Sequence, residues 1–120
     1  MVAPESAPAT PGLLVISRHR VALAEARAAL EVLAARPGCI SADIARSTDD
    51  YEVLVVETRW ATVGDYRRAL SSYEVKVGAV PLLATAVDET TAFEVLYHRD
   101  ASGIVEQAGA LAERPQRNGD

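Results

Sequence analysis

At 120 residues the chain has the size of one domain, and 49% hydrophobic with 24% charged residues is a globular composition that excludes a disordered polymer. Twelve Lys and Arg against seventeen Asp and Glu, a net charge of −5, exclude the basic surface with which nucleic-acid binders displace counterions from phosphates. No apolar run approaches the roughly twenty residues of a membrane span, and the single cysteine, Cys39, has no internal disulfide partner and fits a reducing cytoplasm.

Residues 1–12 contain three prolines and many small residues, with neither a basic start nor an apolar run. We expect a mobile leader rather than a secretory signal there. Leu13-Leu14-Val15-Ile16, continuing as Ser17-Arg18-His19-Arg20, predicts a strand. A helical period follows over residues 22–36, with Leu23, Ala26, Leu30 and Leu33 on one stripe. Pro37-Gly38 ends it, because proline cannot continue a helix and glycine accepts the exit conformation. Residues 39–46 alternate as a second strand, residues 47–50 form a polar turn, and residues 51–60 predict the third strand. Thr62 caps a second helix, with Asp65 in a capping-box role, running to about Ser71. Residues 73–86 are mixed and broken by Pro81, so one or two short turns are expected. Residues 93–98 predict a fourth strand, and residues 101–120 a tail with at most a short helix.

The order βαββαβ is that of an α+β, ferredoxin-like domain over residues 13–100, with two helices on one face of an antiparallel sheet. The opposite face is also apolar: on the third strand Val53 and Val55 point one way while Leu54 and Val56 point the other, and Leu13, Leu14, Val15 and Ile16 make the first strand apolar on both sides. A sheet with helices on one face does not leave the other wet and apolar. The expected cover is the same face of a second copy, giving a homodimer.

The segments Leu-Ala-Ala-Arg-Pro-Gly-Cys-Ile (33–40), Val-Val-Glu-Thr-Arg-Trp (55–60) and Asp-Tyr-Arg-Arg-Ala-Leu (65–70) resemble the antibiotic biosynthesis monooxygenase family in its actinobacterial branch. The resemblance covers about residues 13–98 and implies a dimeric α/β barrel. Family members differ in activity. Some oxygenate aromatic polyketide intermediates with dioxygen and no cofactor, others bind and degrade haem. The haem-degrading members use an Asn, a Trp and a His where this chain has Ser17, Ala69 and approximately Gly78, so the resemblance disfavours haem. The polyketide-oxygenating members have a Trp ending the third strand and a Tyr six residues later, matched by Trp60 and Tyr66. They also have an Asn where this chain has Val56, and an Arg where it is apolar near Val80.

Cofactor-free oxygenation needs a substrate that gives an electron to dioxygen, a group to take its proton, and a mostly apolar cavity. On this reading Trp60 is a stacking wall, with Ser17 and Val56 completing the substrate-binding surface. Tyr66, Tyr73 and Lys76, the only lysine, are the candidate catalytic and proton-handling groups. The expected ligand is a phenolic or polycyclic aromatic metabolite. His19 and His98 are expected at the surface or an interface, at opposite sheet edges, and Cys39 as a small buried apolar group. No Cys or His cluster has metal-ligand spacing and no glycine-rich phosphate loop follows a strand, so neither metal nor cofactor is expected. Two alternatives stay open: a non-catalytic dimeric barrel that binds a hydrophobic metabolite, and an interaction module whose aromatics are all core.

Overall fold

The computed structural model of the protein describes residues 12–107. The leader before Gly12 and the tail beyond Gln107 lie outside the described residues. The chain divides into two compact units, Gly12–Phe93 and a second that includes residues 94–107.

The first unit carries β1 (Leu13–His19), α1 (Leu23–Ala34), β2 (Cys39–Arg46), β3 (Leu54–Trp60), α2 (Val63–Ser71), α3 (Tyr73–Gly78), α4 (Val80–Leu83) and, at its boundary, β4 (Ala92–Glu94). The sheet order is β2-β3-β1-β4, the arrangement of the ferredoxin-like fold. The β3 strand is antiparallel to both β1 and β2, with Leu13 opposite Trp60, Ser17 opposite Val56 and His19 opposite Leu54.

Strand alternation decides which residues form the core. Leu13, Val15, Ser17 and His19 of β1 and Leu54, Val56, Thr58 and Trp60 of β3 are all buried. Helices pack on this inner face. Ala26, Ala29 and Leu33 are the buried residues of α1, and the small alanines let the helix axis approach the sheet closely. Ala69 of α2, Val75 of α3, Ala79 and Leu82 complete the core. Leu23, expected on the buried stripe, is 49% exposed because it opens α1 beyond the edge of the packed layer. On the outer face Leu14, Ile16, Val55, Glu57 and Arg59 are only partly covered within one chain.

Local chemistry explains the boundaries. The Thr62 hydroxyl accepts from the Asp65 amide at 3.0 Å, satisfying one of the orphan donors of α2. Ser72 does the same for Val75 at 3.3 Å, so α3 begins where α2 stops. Pro81 lies in the first turn of α4, where its missing N–H costs nothing. The β2–β3 turn is longer than expected: Tyr51 and Glu52 belong to it rather than to β3. Ser47 accepts from the amides of Asp49 and Asp50, and Asp50 accepts from the amide of Glu52, holding a turn too wide for a four-residue hairpin loop.

The strand expected over residues 93–98 is divided. Its first part is β4, and its second begins a hairpin of β5 (Tyr97–Asp100) and β6 (Gly103–Glu106) in the second unit. The part of the expected tail helix that falls within the described residues is therefore strand. Gly103, at φ +131°, closes the turn, and Asp100 accepts from the Ser102 amide at 2.8 Å.

Gly38 is a position that does not tolerate a side chain. Its φ is +92°, its carbonyl accepts from the Ala61 amide at 2.8 Å, and a Cβ there would collide with the Asp65 side chain in the first turn of α2. Gly38→Ala is expected to destabilise the protein by more than about 1 kcal/mol, seen as a lower urea midpoint at unchanged m-value.

Candidate active site

The inner sheet face carries three buried polar side chains, Ser17, His19 and Thr58. Each must find a partner, since an unpaired polar group in a packed core is strongly unfavourable. Thr58 accepts from Trp60 Nε1 at 2.8 Å, two residues along the same strand face. The hydrogen bond satisfies the only polar atom of an indole that is 0% exposed. Tyr66, in the first half of α2, places its ring 5.5 Å from that of Trp60 with the planes at 51°, a tilted aromatic contact. Partial burial pushes the Tyr66 phenol above its ordinary pKa, so the hydroxyl keeps its proton and acts as a donor.

The other end of the same face is occupied by Ser17 and His19. Ser17 Oγ lies 2.7 Å from His19 Nε2, and Thr85 Oγ1, just after α4, lies 2.9 Å from His19 Nδ1. Thr85 in turn donates to the Leu82 carbonyl at 2.6 Å. Four strand residues separate the Trp60–Leu13 pair from the Val56–Ser17 pair, about 13 Å at the rise of a strand. Val15 and Thr58, opposite one another, form the floor between them.

Of the residues expected from the sequence, Trp60, Tyr66, Val56 and Ser17 share this face and its helical cover. The expectation of an open pocket between helices and sheet is corrected, because Trp60, Val56 and Ser17 are sealed by packing, with exposures of 0%, 4% and 5%. Tyr73 and Lys76 lie away from this face. Both project from the exposed side of α3, Tyr73 at 77% exposure, and so neither enters a dry interior. Tyr73 instead borders an open apolar groove of about 390 Å³ with Val32, Ala35 and Val77. His19, expected at the surface or an interface, is 0% exposed within one chain. The signal that finds it is strand parity: it lies two residues beyond Ser17 and four beyond Val15. Cys39, expected to be buried, is only half-buried, and burial raises its thiol pKa. Among the described residues no three His, Cys, Asp or Glu side chains converge in a metal-binding group, and no helix is long and apolar enough to cross a membrane.

Residues 17–79, just over half of the chain, match the family profile described as antibiotic biosynthesis monooxygenase. The chain belongs to this family. Solved structures of similar fold include a cofactor-independent oxygenase, SnoaB, from Streptomyces nogalater. It is 24% identical, with 69% of this chain and 91% of that chain covered at a TM-score of 0.57. A conserved protein of Methanosarcina mazei is 18% identical over 72% of this chain and 94% of its own, also at 0.57. A Mycobacterium tuberculosis protein is 18% identical over 74% and 97%, at 0.56. At these identities the likeness establishes the fold alone. Comparison with curated protein sequences returns no match. The profile match over residues 17–79 includes Ser17, Val56, Trp60 and Tyr66 of this monooxygenase-family chain.

Burial without a charged hydrogen-bond partner holds the His19 pKa below its ordinary 6.5. The unfolded chain then takes up a proton that the folded chain refuses. Stability is complete above pH 6.5 and falls as the pH drops from there toward the lower folded pKa. The carboxylates of Asp50, Asp65, Glu89 and Asp100, all held low chiefly by hydrogen bonds, lose their contributions only at more acidic pH. Thermal unfolding should therefore show a Tm decline beginning below pH 6.5 that His19→Gln flattens without altering the steeper acid limb.

Proposed function

We propose that the protein is a cofactor-independent monooxygenase acting on a phenolic or polycyclic aromatic metabolite, working as a homodimer. The observation that carries this reading is the Trp60–Tyr66 ring pair at the β3–α2 junction, on the same inner face as Ser17 and Val56. Family membership supports it, as does the fold shared with a cofactor-independent oxygenase. Eleven Arg to one Lys is the bias of a GC-rich genome and supports the actinobacterial branch.

The chemistry asked of the protein is modest. A ring methylene flanked by phenols becomes a carbonyl: the substrate supplies the electrons, one oxygen atom of dioxygen is retained and the other leaves as water. Trp60 would stack on the flat substrate, and Tyr66 would donate to the oxyanion that develops on it. In this reading the ligand enters by displacement of α3 and α4, helices of six and four residues. Such short helices have little stability of their own. Tyr73 and Lys76, on the solvent side of α3, have no part in this step.

A second reading, a non-catalytic barrel that binds a hydrophobic metabolite, is favoured by one observation: Val56 places an apolar side chain where the oxygenating relatives resembled here have an amide.

An oxygen electrode with anthrones, dihydroquinones and flavonols tests the first reading. Wild type should consume oxygen above the uncatalysed rate, and Tyr66→Phe should lower kcat on the order of tenfold or more at unchanged Tm. Trp60→Phe is a better probe of the wall than Trp60→Ala, which would cost about 3–5 kcal/mol in core packing alone. Oxygen uptake indistinguishable from the uncatalysed rate across the panel, with binding retained, would replace this reading by the second.

The partly covered outer face, with Leu14, Ile16 and Val55 beside Glu57 and Arg59, supports the dimer. Sedimentation at micromolar concentration should give twice the chain mass for wild type, and a monomer for Ile16→Asp.

A further inference from the structure

The hydrogen bonds around His19 have a direction that distances alone do not reveal. The Thr85 hydroxyl has one hydrogen, and it is given to the Leu82 carbonyl at 2.6 Å, since a carbonyl can only accept. Thr85 Oγ1 can then only accept from His19 Nδ1, 2.9 Å away, so Nδ1 carries the ring proton. In a neutral imidazole Nε2 is then an acceptor, and among the described residues the Ser17 hydroxyl, 2.7 Å away, is its donor. Every donor is assigned once: Ser17 O–H to Nε2, Nδ1–H to Thr85, Thr85 O–H to Leu82. The result is a serine hydroxyl polarised by an imidazole whose tautomer is set from behind, placed on the inner face beside Val56.

The surroundings keep that imidazole neutral. Its two hydrogen-bond partners are hydroxyls, and Leu54 stands opposite it on β3. The neighbouring charges are paired elsewhere: Arg18 with Glu89 at 2.8 Å, and Arg20 with Asp50 at 2.8 Å and Glu52 at 3.1 Å, all on exposed side chains. Asp88, beside Glu89 in the segment after α4, is exposed. A neutral ring of this kind is available to accept a proton at neutral pH, which a surface histidine would be only in part.

We propose that Ser17, His19 and Thr85 are a directional proton relay, in which Ser17 contacts an ionising hydroxyl of a phenolic ligand and His19 receives the proton. This rests on the inner face being the ligand site. In one concerted step the ligand O–H bond breaks and its proton goes to Ser17 Oγ, while the original Ser17 proton goes to His19 Nε2. The products are a phenolate and an imidazolium. Ser17 then donates to the phenolate and accepts from Nε2–H, while Nδ1–H still points at Thr85, so no heavy atom has to move. The buried imidazolium is offset by the phenolate formed beside it. Ser17 and His19, which carry the transferred protons, are the catalytic residues of this step, and Thr85 is a positioning residue that acts through His19.

The test uses chrysazin, an air-stable dihydroxyanthraquinone whose absorption moves to longer wavelength on ionisation, so proton removal is read without any oxygen chemistry. Bound to wild type, chrysazin should ionise at a pH lower by about one unit or more than in water. Ser17→Ala and His19→Gln should bind it and return its ionisation to the free value. Thr85→Val, at an exposed position that leaves the core intact, should give an intermediate shift. Imidazole ¹H–¹⁵N spectra of the wild type should show the neutral Nδ1–H tautomer. Binding with the same ionisation in wild type and all three variants, or an Nε2–H tautomer, would overturn the relay and leave the ligand site standing. Failure of chrysazin to bind wild type at all would overturn the ligand-site reading and the relay with it.

Discussion

The structure depends on the alternation of β1 and β3. With Leu13 opposite Trp60 and His19 opposite Leu54, every second residue of both strands faces the helices. A shift of one residue would send Trp60, Leu54 and Val15 to the outer face and bring Glu57 and Arg59 into the core. This one register places the aromatic pair at one end of the inner face and the histidine at the other. It also places α1, with its small buried alanines, directly across from them.

Within that frame the core admits polarity only where it is closed on itself. Thr58 and Trp60 satisfy one another along a single strand, which anchors the bulkiest side chain of the core and orients it toward Tyr66. Ser17, His19 and Thr85 form a second closed set that ties β1 to the segment after α4. An all-apolar inner face would be simpler to stabilise. The first set meets Tyr66 of α2, and the second reaches the segment that follows α4.

The fold was legible because its signals are local. Pro37-Gly38 after a helical stripe, Thr62 with Asp65, and Pro81 in a mixed segment each act within a few residues, and the elements begin and end close to where they indicate. The fourth strand was legible only in part. Residues 93–98 have the β-rich composition of one strand, but composition does not show where a chain stops pairing with β1 and turns on itself, and the positive-φ Gly103 closes a hairpin there instead. Of the site, Trp60, Tyr66, Val56 and Ser17 follow from strand parity and family resemblance. The positions of Tyr73 and Lys76 do not follow from side-chain chemistry, because a six-residue helix can turn either face to solvent.

The amino-acid sequence by itself determined the βαββαβ order, the two-sided hydrophobicity of the sheet and the family resemblance, because periodicity, caps and turn residues are short-range and act before any packing. Only the tertiary structure decided that His19 is interior and neutral, that its ring is held between Ser17 and Thr85, and that Lys76 remains in solvent. His19 and Thr85 are 66 residues apart in the chain. Their meeting is set by how α4 returns over β1, and the protonation state of a histidine follows from what surrounds it.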